Sequence, residues 1–143
     1  MSVLALGVIG VFMSIAALHL YWGFGGRWPG RDENSLRLIV AGTPRGQMHG
    51  LGPCAMVAAA LTAAALIIVL RHAGALASPI GWIIVAGYFV LILVFGLRGL
   101  APYFTPAFNY ARGTPFFDLN RQYYAPLCLA IAIALAVDHP LWG

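Results

Sequence analysis

Few side chains in this sequence could do chemistry, and most of them stand at the ends of long apolar runs. His19 opens the stretch HLYWGFGG, which runs to Gly26, with Trp22 about one helical turn later and two glycines at its close. Arg98 ends another apolar run, and Asp118, Asn120, Arg121 and Tyr124 begin the last one. A histidine beside a carboxylate can shuttle protons, which gives His19 and Asp118 an acid–base reading. Arginines beside an apolar surface can hold phosphate or carboxylate, which gives Arg98 and Arg121 an anion-binding reading. His19 and His49 could ligate haem between them. Asp118 and Arg121 are three residues apart and can share a helix face. That makes Asp118 the natural partner of Arg98, Arg121 or a protonated His19, in a network that could equally serve packing alone.

Other chemistries lack their signatures. The sequence holds no nucleophile elbow, no phosphate-cradling glycine loop and no H-x-x-x-H pair. No local motif supplies third and fourth metal ligands, so no metal site is expected and no cofactor is required. Cys54 and Cys128 are far apart in apolar runs, which suits small buried side chains rather than a redox pair.

The elements that must position these residues are membrane-length. Of 143 residues 62% are hydrophobic and only 8% charged, with a mean hydropathy of +0.87. Soluble domains carry roughly a quarter charged residues, so this composition belongs in a bilayer. Four spans are expected within a single domain over 1–143, at about 3–23, 51–70, 80–98 and 116–137. About 20 residues of helix match a hydrocarbon core of about 30 Å. The first span lacks a basic leader and a cleavage site, so it reads as a retained helix. Leu36 to Val40 suit a short interfacial element between the first two spans. Ala55, Ala59 and Ala63 repeat at i+4, a small-residue face that lets helices approach closely. Thr114 and Pro115 suit the start of the last helix, and Pro126 should kink or break it.

Charge sets the orientation. All eight basic residues are arginine. Arg27, Arg31, Arg37, Arg45, Arg98, Arg112 and Arg121 fall on one side of the four spans, and Arg71 alone on the other. By the positive-inside rule both termini face away from the cytoplasm. His19, His49, Arg98 and the Asp118–Tyr124 stretch then meet at the cytoplasmic end. His72 and His139 fall on the opposite side and read as surface residues, with Trp142 as an interfacial anchor. The basic balance thus reflects topology and anionic lipid, and no nucleic-acid partner is expected.

Two segments together resemble a known family. HLYWGFGGRW near the N-terminus and FFDLNRQYYAPLCLAIAIAL near the C-terminus are similar to the bacterial membrane family called domain of unknown function 3995. The matching positions are His19, Trp22, Gly25, Gly26, Arg98, Asp118, Asn120, Arg121, Tyr124, Pro126, Leu127 and Cys128. The resemblance implies a small bacterial protein of four helices and brings no established activity. After Arg98 the chain reads GLAPYFTPAFNYARG, without the acidic residue the pattern would place there, which throws weight on Asp118.

The expectation is therefore an all-α integral membrane four-helix bundle in the bacterial inner membrane, in contact with its lipids. Its polar cytoplasmic mouth, built from His19, Trp22, Arg98, Asp118, Asn120, Arg121 and Tyr124, would bind a lipid-like or amphipathic anion. The alternatives are a small membrane enzyme using His19 and Asp118, and an accessory subunit that pairs with its own copy or another membrane protein.

Overall fold

The computed structural model describes residues 1–43 and 50–138, and every regular element among them is helical. In chain order these are α1 (Val3–Gly23), α2 (Glu33–Val40), α3 (Leu51–His72) and α4 (Gly81–Phe104), then α5 (Pro115–Leu119) and α6 (Ala125–Val137). Short 3-10 turns, Ala75–Ala77 and Pro106–Ala111, precede and follow α4, and a π turn, Asn120–Tyr124, joins α5 to α6. Helices α1, α3 and α4 are long and apolar enough to cross a membrane. The expected third span therefore continues beyond Arg98, through Pro102, to Phe104.

Each start has a local cause. Ser2 Oγ accepts the Ala5 N–H and caps α1. Asp32 and Ser35 form a reciprocal capping box at α2. The Ser35 backbone N–H donated to Asp32 holds that carboxyl below its usual range. Pro115 stands at the first turn of α5, as expected. Thr114 makes no side-chain cap there and instead donates its hydroxyl to the Ala111 carbonyl.

Packing pairs α1 with α3 and α4 with α6, and the two pairs meet along a core that includes Phe12, Ile68, Ile84, Tyr88 and Leu135. Phe12 stacks on Phe95 with ring centroids 5.1 Å apart. On α3 the inward face carries Cys54, Ala58, Ala65 and Ile68, whereas Ala59 and Ala63 are exposed. The small-residue interface is thus one step around the helix from the alanine row expected. Gly99 lets α4 approach α6 closely, since a Cβ there would stand 2.6 Å from Leu129 Cγ and 3.0 Å from the Ala125 carbonyl.

One polar cluster ties four helix segments together at the end where α1 begins. Asp138, just past α6, accepts the Ser2 hydroxyl at 2.7 Å and the Tyr88 hydroxyl at 3.0 Å. Arg71 Nη1 lies 3.4 Å and His72 Nε2 3.3 Å from Oδ2, the same oxygen that accepts from Tyr88, while Ser2 donates to Oδ1. The Arg71 guanidinium also lies 5.7 Å from the centroid of the Tyr88 ring. His72 is therefore no surface residue: its side chain is 16% exposed and joined to a carboxylate that is 8% exposed. Because Ser2 meets Asp138 here, the far ends of α1 and of the π turn lie together at the opposite end. Asp138→Ala strands a buried arginine and should cost about 3–5 kcal/mol, read as a lowered unfolding midpoint of the purified protein. Arg71→Leu combined with Asp138→Leu should recover most of that loss. Equal losses in the single and double variants would refute the coupling.

Candidate functional site

The opposite end is built around Arg98 and Asn120. Arg98 sits in the last turns of α4, where Pro102 has no N–H to return to the Arg98 carbonyl. Its Nη2 donates to Asn120 Oδ1 at 2.9 Å. Its guanidinium carbon stands 4.7 Å from the centroid of Phe108, which belongs to the 3-10 turn Pro106–Ala111. Asn120 itself is fully buried. Around it, Phe108 packs on Phe116 with centroids 6.1 Å apart, and Phe116 on Tyr124 at 6.0 Å. The site is thus a cation and an amide walled by aromatic rings.

Two donors in it have no acceptor. Arg98 Nη1 and Asn120 Nδ2 are both buried and make no hydrogen bond. Among the described residues no carboxylate pairs with Arg98. An unsatisfied buried donor costs about 1–3 kcal/mol, and more when charged. Each atom shares its carbon with a member of the bonded pair, Nη1 with Nη2 on the guanidinium carbon and Nδ2 with Oδ1 on the amide carbon. An oxyanion with two acceptor oxygens has the chemistry to satisfy both.

Asn120 reaches Arg98 because the last helix changes register. The Ala125 N–H bonds the Asn120 carbonyl, an offset of five residues rather than four. The next pair in that register is Pro126 with the Arg121 carbonyl, and proline has no N–H to give. The Tyr103 hydroxyl donates to that carbonyl instead. Pro126 accordingly does not break the helix: residues 115–137 are helical without interruption, and the irregularity lies one turn earlier. Arg121 is exposed, with its guanidinium 5.7 Å from the Tyr103 ring and 5.8 Å from Phe117.

The expected partner Asp118 is exposed on α5, and Asn120 occupies the place beside Arg98 assigned to it from sequence. His19 lies at the same end but in a different group. Its Nδ1 faces the Ile15 carbonyl at 2.8 Å, so that nitrogen carries the proton, and its ring meets Trp22 edge-on at 5.3 Å. Trp22 Nε1 donates to the Trp28 carbonyl at 2.7 Å and helps line a cavity of about 220 Å³ with Gly25, Gly26, Arg27, Glu33 and Leu36. At Gly26 a Cβ would stand 2.3 Å from the Tyr21 ring, so a larger residue there would displace that exposed tyrosine. Behind α2, Arg37 is buried and donates to the Thr43 carbonyl at 2.7 Å and to Asn34.

No hydrogen bond or ion pair joins His19 to Arg98 or Asp118 among the described residues. His49, Arg45, His139 and Trp142 lie outside the described residues, so the second histidine of the haem reading does too. Among the described residues no three metal-binding side chains form a group.

Sequence reasoning did not anticipate Phe108 as the cover of Arg98, or Tyr103 as the donor to the π turn. The available signal was Pro126 itself, which announces a carbonyl in need of a donor. Tyr103→Phe should lower stability by about 0.5–1.5 kcal/mol, and the same change in a Pro126→Ala background should be nearly silent, because alanine restores the N–H. A double-mutant cycle of unfolding midpoints checks this, and additive losses would refute the substitution of hydroxyl for amide.

No curated protein and no solved structure matches the chain. A family model described as a protein of unknown function (DUF3995) matches residues 12–135, which takes in His19, Trp22, Arg98, Asn120 and the π turn, and the chain belongs to that family.

Proposed function

We propose that this protein is a multi-pass bacterial inner-membrane protein that binds an anionic amphipathic molecule at the Arg98–Asn120 end. The single observation that carries this reading is the pair of buried donors without an acceptor, one on Arg98 and one on the amide beside it, where no carboxylate among the described residues pairs with the cation. A charge held at membrane depth is costly unless it is paired. The charge-balanced cluster around Asp138 shows what pairing within the chain looks like in the same protein. A phosphate or carboxylate head group would supply both the missing acceptors and the missing charge.

The remaining candidates take supporting places in this reading. Arg121, exposed over Tyr103 and Phe117, adds positive potential at the rim. Tyr124 and Phe116 form the apolar wall behind Asn120, and membrane lipids are the natural source of the ligand. The last helix, 115–137, forms a fourth span of about 34 Å at 1.5 Å per residue. Its crossing puts Arg98 on the arginine-rich side, which the positive-inside rule makes cytoplasmic.

Substituting the amide tests the reading without removing volume. Asn120→Asp places a carboxylate beside Arg98, so the ligand-free protein should become more stable and anionic lipid should stabilise it no further. Arg98→Gln should weaken binding of phosphatidylglycerol at least tenfold, about 1.4 kcal/mol or more, while phosphatidylcholine has no effect on either protein. Thermal unfolding in nanodiscs of the two lipids, with native mass spectrometry for retained lipid, gives the readout. Lipid-dependent stabilisation that survives both substitutions would rule the site out.

A further inference from the structure

A groove of about 630 Å³ runs along the lipid-facing side of α4 at the same level as the site, lined by Leu97, Leu100, Ala101, Phe104, Thr105 and Ala107. The first four repeat as i, i+3, i+4 and i+7, so they share one helix face. Apart from a trace of polar surface they present hydrocarbon or aromatic ring to the groove. Its volume lies within the roughly 300–1,000 Å³ of ligand clefts, although one side stands open. Arg98 lies on the adjoining face of these turns. The residue after Ala107 is Phe108, whose ring covers the Arg98 guanidinium. One short 3-10 turn therefore forms a wall of the groove with one residue and the cover of the cation with the next.

We propose that the groove seats the hydrocarbon chain of the same molecule whose oxyanion head bridges Arg98 Nη1 and Asn120 Nδ2, with Phe108 displaced from the guanidinium when the head enters. This rests on the proposed anion site and narrows its ligand to a long-chain amphiphile with a phosphate or carboxylate head, as opposed to a free soluble anion. The chemistry is complementary along the whole path. Apolar surface lies where the chain would run, and the ring of Phe108, next in sequence to the groove residue Ala107, stands over the cation. A soluble anion would have no use for the groove, whereas an amphiphile reaches the cation laterally without leaving the apolar phase. The orphan donors are buried, so a head group reaches them only when a covering side chain such as Phe108 moves aside.

The full chain in phosphatidylcholine nanodiscs, titrated with hexadecyl phosphate, butyl phosphate or inorganic phosphate, separates the sources. Hexadecyl phosphate should raise the unfolding midpoint at concentrations at least tenfold below those at which the other two act. Ala101→Trp fills the groove and should abolish the chain-length preference, while Arg98→Gln should abolish the response to all three. A diazirine-bearing hexadecyl phosphate should label Leu97, Leu100 or Phe104 in the unsubstituted protein, which keeps the test valid if the tryptophan variant fails to fold. Equal responses to all three phosphates, with label found away from α4, would overturn the groove assignment and leave the anion site standing. No response to any of them would overturn both.

Discussion

A polar group set among apolar helices has to find its partner inside the protein, and this constraint shapes both ends of the molecule. At one end Asp138 gathers a serine, a tyrosine, an arginine and a histidine from three other helix segments. The charges there balance, and the cluster fixes where α1 starts and α6 ends. At the other end the accounts of charge and hydrogen bonds stay open. Arg98 has an amide instead of a carboxylate for its nearest partner, and two donors point at nothing. Arg71 Nε is also a buried donor without an acceptor, so the contrast between the two ends is one of charge: Arg71 faces a carboxylate and Arg98 an amide.

The open end is also where the helical backbone departs from regularity. Pro102 and Pro126 each withdraw an N–H from a helix of membrane depth, at Arg98 and near Arg121. The π turn moves the second vacancy onto the Arg121 carbonyl, where the Tyr103 side chain fills it. That register shift is what turns Asn120 inward at the level of Arg98. Irregular backbone at this depth is tolerated where it is buried in protein or lines a cavity, so the two prolines, the π turn and the 3-10 turn converge on the one place that can use them.

The long helices were legible because periodicity and length suffice to read them. The runs from Val3, Leu51 and near Pro79 could be read directly, and only the far end of α4 ran past its expected limit, since Pro102 still fits its last turn. A short element was expected over Leu36 to Val40, and the helix α2 stands there, starting three residues earlier at Glu33. Side-chain pairing was not. His72 looks like a surface residue in sequence because it stands at the end of a helix, and Asp138 likewise follows the end of one. Only the antiparallel return of α1, α3 and α6 makes those ends meet. Asp118 drew attention as the sole acid near Arg98 in sequence, yet two residues along a helix rotate a side chain by about 200°, and it is Asn120 that faces α4. His19 and Trp22 engage each other and the turn that carries the chain towards α2, apart from Arg98.

The identity of residue 120 bears on what Arg98 is for. A purely structural arginine at the mouth of an apolar bundle is best served by a carboxylate, which cancels its charge and accepts from both of its terminal nitrogens. Arg71 has a carboxylate partner in Asp138, which its Nη1 reaches at 3.4 Å. An asparagine beside Arg98 fixes the guanidinium with one hydrogen bond, leaves its charge intact and adds a second outward donor. It holds the cation in position without satisfying it. An aspartate there would cancel the charge, which the asparagine does not do. The asparagine has value if the counter-charge arrives with a ligand, since the amide then positions the cation beforehand and contributes a donor once the anion is bound.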